Sequence, residues 1–266
     1  MRRASVLVAL LALTGCGGSG GNKTRDDVSA YITRVDSIQL AQRQSIALMQ
    51  QAVVDFSHGK NVPLVIKQLT SAHATLKKLH ARIAAVAAPP PAQKLHRLVL
   101  ELFSREAALT TELRDLAAFS PRFADALRPI AKANAAAKAS ITATKDPQAV
   151  AGAVQHYRTA VRSSLAAAQE LHPPAVERPL YDAQVARLVA LDRSLAQLIE
   201  ALQARDLNAV ARAEHATSVA SVSSDTLVAQ QAQRAAVVAY NRRAASVSSL
   251  ARRVQLEVNR LQVALG

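Results

Sequence analysis

The chain is short of nearly every residue type that marks a compact site. It has 266 residues, one Cys, no Trp, 3% aromatic residues, 8 Gly and 10 Pro. A single Cys excludes an internal disulfide framework. Few aromatics and few turn residues exclude a β-sandwich and leave little for single-stranded nucleic acid to stack on. Hydrophobic residues nevertheless make up 50% of the chain, so a packed core is affordable and general disorder is not expected. Ala fills 56 of the 266 positions, a bias toward helix and away from strand. Beyond residue 16 there is no run of 18 apolar residues, so none of that sequence reads as a membrane span.

What is present begins at the N-terminus. Arg2 and Arg3 precede the apolar run Val6 to Leu13, and Leu13-Thr14-Gly15-Cys16 follows. The run is too short to span about 30 Å of hydrocarbon, which needs roughly 20 residues, and fits a secretory signal peptide over residues 1–15. Leu13-Thr14-Gly15-Cys16 resembles the lipobox of bacterial lipoproteins: Leu, a small residue, Gly or Ala, then Cys. The resemblance implies export, a diacylglyceryl group on the Cys16 sulfur and cleavage between Gly15 and Cys16. It covers about 16 residues. Residues 16–25, rich in Gly and Ser, then read as the lipidated Cys and a flexible tether. Gly15-Cys16-Gly17-Gly18-Ser19-Gly20 satisfies G-x-G-x-x-G formally, but no strand or helix frames it and the cleavage point divides it.

Residues 26–266 step their apolar positions by three and four, the period of helices. One stripe is Val28, Ile32, Val35, Ile46, Met49, Val53 and Phe56, with Gln39 and Gln42 on it. The next is Val65, Leu69, Ala72, Leu76, Leu79, Ile83 and Val86, closed by Pro89-Pro90-Pro91. A third carries Leu98, Leu102, Leu109, Leu113 and Leu116, and Ser120-Pro121 predicts its end. A fourth is Phe123, Leu127, Ile130, Asn134, Ala137 and Ile141. Asp146-Pro147 reads as an N-cap with Pro at the first helical position, and Pro173-Pro174 as the stop. Val185, Leu188, Leu191, Leu195, Leu198 and Leu202 define a further helix. Asp206 caps a last one, Leu207 to Leu265, with no Gly or Pro; a break near Ser223-Ser224-Asp225 is the alternative to one continuous rod. Val237, Tyr240, Ala244, Val247, Ala251, Val254, Val258, Leu261 and Leu265 give it a coiled-coil-like seam.

At an offset of 86, Val99, Leu102, Leu109, Leu113 and Leu116 fall on Val185, Leu188, Leu195, Ile199 and Leu202, which suggests a duplicated helical hairpin. The expected fold is all-α: elongated antiparallel helical bundles with an internal hairpin duplication and a long C-terminal helix, divisible into 26–119 and 120–266.

Seven scattered His supply no metal pattern. His73 and His80 share a helix face, but Lys77 stands between them, and no Glu is followed three places later by His. There is no H-E-x-x-H, no G-x-S-x-G and no Walker loop. No cofactor and no catalytic residue is therefore expected. Lys and Arg number 33 against 19 Asp and Glu. Near a lipid tether that excess suits anionic lipid headgroups or cell-wall polymers; nucleic acid is not an expected partner of an exported chain. The expectation is a non-catalytic, membrane-tethered binding or scaffold protein, held outside the cytoplasm by its lipid, with a protein partner unspecified. The alternative is a helical receptor that delivers a small ligand to a membrane partner.

Overall fold

The computed structural model describes residues 23–57, 61–221 and 225–265. Among them are seven α-helices, one 3₁₀ turn and no strand: α1 Lys23–Ser57, α2 Val62–Ala84, the turn Pro90–Ala92, α3 Gln93–Ala143, α4 Pro147–Gln169, α5 Arg178–Ala204, α6 Leu207–Ser221 and α7 Asp225–Leu265. The fold class is all-α, with a long helix at the C-terminus.

The chain divides into two compact units. One takes the chain up to Arg114 together with Asn241–Gly266; the other is Asp115–Tyr240. The sequence suggested contiguous halves, 26–119 and 120–266. By contacts, the last 26 residues instead belong with the first unit, and α3 and α7 each contribute to both units.

In the first unit, α2 is buried where its period predicts: Val65, Leu69, Ala72, Leu76, Leu79 and Ile83. Tyr31 of α1 meets His96 of α3, and Met49 meets Thr110 further along both, so α1 and α3 run parallel. His73 of α2 meets Ala107 and Thr111 of α3. Lys94 meets Glu257, and Glu112 meets Arg243, so α7 runs antiparallel to α3. The unit is an up-down-up-down four-helix bundle whose core joins Val28, Val35, Leu76, Ile83, Leu95, Phe103, Val254 and Leu261.

The second unit repeats the hairpin. Adding 85 to the buried positions of α2 gives Val150, Val154, Tyr157, Val161, Ser164 and Ala168 of α4, of which four are buried and Val150 and Tyr157 pack against the core. Adding 86 to Val99, Leu102 and Leu109 of α3 gives Val185, Leu188 and Leu195 of α5. All of these are buried except Val185, which is half-buried. Leu79 and Ile83 thus correspond to Ser164 and Ala168, and the second core is built from smaller side chains.

Three boundaries differ from the sequence reading. α1 takes in Lys23, Thr24 and Arg25, which had been placed in the tether; Asp26 in its first turn suits the positive end of the helix dipole. Ser120-Pro121 does not end a helix, because α3 continues through Pro121 and Pro129 to Ala143. An interior proline costs about 3 kcal/mol. Phe119 stacks on Phe123 at 5.2 Å across that site, and both rings meet Tyr181, at 6.1 and 5.6 Å. Three aromatic pairs at about 0.5–1.5 kcal/mol each, beyond their buried area, offset a break of that size. Third, the α7 seam starts later than its sequence suggests. Val237 is exposed, while Leu250, Val254, Val258 and Leu261 are buried. The suggested break near Ser223-Ser224-Asp225 falls on residues 222–224, outside the described residues.

The caps are as the sequence predicts. Asp146 accepts from the Gln148 and Ala149 amides at 3.1 and 3.2 Å, and Asp206 from the Ala209 amide at 2.9 Å. α5 ends at Arg205, which has φ 56°. The following amide, that of Asp206, donates to Ala201, closing a Schellman-type end. A β-carbon in this left-handed region costs about 1–2 kcal/mol. Arg205→Gly is expected to raise stability by about 0.5–1 kcal/mol after its own entropy cost, read as a higher urea midpoint with unchanged slope. An unchanged or lower midpoint would refute the strain.

Candidate functional site

Gly15 and Cys16, which the lipobox resemblance marks for cleavage and lipidation, lie outside the described residues. Covalent length still constrains them. Six residues, 17–22, separate Cys16 from Lys23, so the start of α1 is within about 25 Å of the Cys16 α-carbon. The end of the first unit that carries the start of α1 also carries the 3₁₀ turn, the start of α3 and the last turns of α7. Within the first unit it is the end joined to Cys16 by the shortest stretch of chain.

Two polar contacts hold this end together. The Tyr31 hydroxyl, on a residue only 3% exposed, shares a hydrogen bond with Nδ1 of His96 at 3.1 Å. Burial pushes the Tyr31 hydroxyl up to about 12 and pushes the His96 imidazole down, so both are neutral at pH 7 and the bond is kept. The second contact is an ion triplet. Glu257 is 4% exposed among Val254, Val258 and Leu261 of the α7 seam. Lys94 Nζ donates to its Oε2 at 2.7 Å, and Arg260 donates to Oε1 at 2.6 and 2.9 Å. The hydrogen bonds from Arg260 and then Lys94 hold this carboxyl below its ordinary range against the opposing effect of burial. The cations come from outside; the Lys94 and Arg260 side chains are 60% and 54% exposed.

The histidines singled out in the sequence do other work. His73 Nδ1–H donates to the Ala107 carbonyl at 3.1 Å, beside the Thr111 hydroxyl, and so ties α2 to α3. His73, Lys77 and His80 line one side of an open groove of about 350 Å³, with Phe103 and Ser104 opposite. His156, His172 and His215 are exposed on three different segments, and His58 lies outside the described residues. No group of three or more His, Cys, Asp or Glu that could hold a metal occurs among the described residues. No described helix is long and apolar enough to cross a membrane. Asn134 is half-buried on α3, and the Gln39 and Gln42 side chains lie outside the described residues.

The sequence reading missed Tyr31, His96 and Glu257. Tyr31 and Ile38 complete the three–four spacing of Val28, Ile32 and Val35, so their burial was readable. Glu257 was readable only as an acid on an apolar seam with Arg260 three residues on. Lys94, 163 residues away, gives no local signal.

No family model, curated protein or solved structure matches the chain.

Proposed function

We propose that this is a lipid-anchored envelope protein, a non-catalytic, membrane-tethered binding module. Its Cys16 thiol carries a diacylglyceryl group, and the peptide bond between Gly15 and Cys16 is hydrolysed once the chain is exported. The observation that carries the reading is the order of residues 2–16: two Arg, a short apolar run, then Leu13-Thr14-Gly15-Cys16. The physical logic supports it. One acyl chain gives only marginal membrane binding, whereas two hold stably at about 0.8 kcal/mol per buried CH₂. With only six residues between the anchor and α1, the first unit is confined next to the bilayer, where its contacts operate at high effective concentration.

Mass spectrometry of the protein from membranes tests this. The expected polypeptide begins at Cys16 and carries the mass of the diacylglyceryl group. Cys16→Ser is expected to abolish both the acyl mass and the cleavage, leaving a precursor that retains Met1. Helix content should be unchanged by circular dichroism, because Cys16 lies outside every described helix. A mature wild-type chain with Met1 and a bare thiol would overturn the proposal, as would a Cys16→Ser variant processed like the wild type.

A further inference from the structure

The last turns of α7 carry an exposed face that the bundle does not use. Leu256 is 68% exposed and Val263 is 83% exposed. At 100° per residue, Arg252, Leu256 and Val263 fall within about 40° of one another, on the side of the helix opposite Leu250, Val254, Val258 and Leu261. Arg253 flanks them and is exposed, as is Arg252. Over residues 241–265 the charged residues are five Arg and one Glu, and that Glu, Glu257, points inward to its ion triplet. An apolar pair bordered by cations, with no exposed acid between residues 241 and 264, is the pattern of a helix that lies in a lipid headgroup layer.

The tether brings this face to such a layer. α7 runs antiparallel to α3, and therefore to α1, so its last turns lie at the end of the unit where α1 starts. The exposed acids of α1 over the same length, Asp26, Asp27 and Asp36, belong to a different helix.

We propose that the exposed Arg252–Val263 face of α7 docks the first unit onto an anionic phospholipid surface, with Leu256 and Val263 at the acyl boundary and Arg252 and Arg253 against phosphates. The inference rests on the lipid-anchor reading for its strength. Two apolar side chains and two cations hold a free protein weakly, but a short tether makes the contact intramolecular. Docking lays this face flat on the bilayer and fixes which sides of the unit remain open to a partner.

Because the chain has no Trp, a single Leu256→Trp substitution at this exposed position gives an unambiguous emission signal. The lipidated protein carrying it is reconstituted into vesicles of phosphatidylcholine alone or with phosphatidylglycerol. The expected result is blue-shifted emission, quenched by brominated acyl chains, in the anionic vesicles only, and reversed by salt. Adding Arg252→Gln and Arg253→Gln should lower the docked-to-undocked ratio about 30-fold, the effect of two arginines near an anionic surface. Identical emission in both vesicles overturns the docking, as does a shift that tracks protein concentration in detergent, which would mean a second copy covers the face. Failure of the protein to float with phosphatidylcholine vesicles overturns the anchor reading instead; the docking is then decided by emission in a large excess of anionic vesicles at low salt, where the weak contact of an untethered protein is populated, and an unshifted emission there overturns it.

Discussion

Phe103→Ala is expected to destabilise the protein by about 3–5 kcal/mol, a large fraction of the roughly 5–15 kcal/mol that holds an ordinary domain folded. Phe103 is 0% exposed and sits in a core shared by α1, α2, α3 and α7. Two terms set the size of the loss: the transfer of an aromatic ring from the core, and the cavity left behind. The second term is large here because the neighbours are side chains fixed on four packed helices, which cannot collapse into the gap without shifting along their length. Urea denaturation followed by circular dichroism should show a lower midpoint with unchanged slope. Leu256→Ala, at an exposed position, should change stability by no more than about 0.5 kcal/mol. A Phe103→Ala loss below about 1 kcal/mol would refute the packing described for this core.

Phe103 also shows where the sequence stops being readable. α2 packs along a single stripe, so one set of three–four steps lists its buried residues from Val65 to Ile83 without error. α3 is buried along two stripes at once, Leu98, Leu102 and Leu109 beside Leu95, Val99, Phe103 and Thr110, because helices from several directions pack on it. A one-stripe reading finds the first set and passes over Leu95, Phe103 and Thr110 of the second. Local chemistry was legible for the same reason as α2: Asp146 and Asp206 act on amides two or three residues away. Pro121 was misread because what offsets it, the ring of Tyr181, is 60 residues distant in sequence. The same holds for the candidate site. Cys16 is named by its immediate neighbours, whereas the exposed pair Leu256 and Val263 has meaning only once Leu250, Val254, Val258 and Leu261 are seen to face the core.

The ion triplet should behave asymmetrically when cut from its two sides. Removing both cations, Lys94→Met with Arg260→Met, leaves the Glu257 carboxylate buried and without its donors, and is expected to cost about 3 kcal/mol at pH 7. Removing the acid, Glu257→Leu, adds an apolar residue to the α7 seam and frees two side chains that are already more than half exposed. Its expected effect is within about 1 kcal/mol of zero and can be stabilising. The pH dependence distinguishes this account from simple loss of packing. In the wild type the Glu257 carboxyl is held below its unfolded value of about 4.3 by Arg260 and Lys94, so its contribution is fully present above that pH and is lost as pH falls through the folded value. With both cations gone, burial alone acts and raises the folded value, so the contribution reverses: stability is then lost as pH rises above about 4.3. Tyr31 adds a separate alkaline limb in both proteins. Its hydroxyl titrates at about 12 when folded and near 10 when unfolded, so stability should decline between those values. Urea midpoints measured from pH 3 to 7 should therefore rise for the wild type and fall for the double variant relative to Glu257→Leu. Parallel curves for all three proteins would show that Glu257 is not held ionised by these two cations.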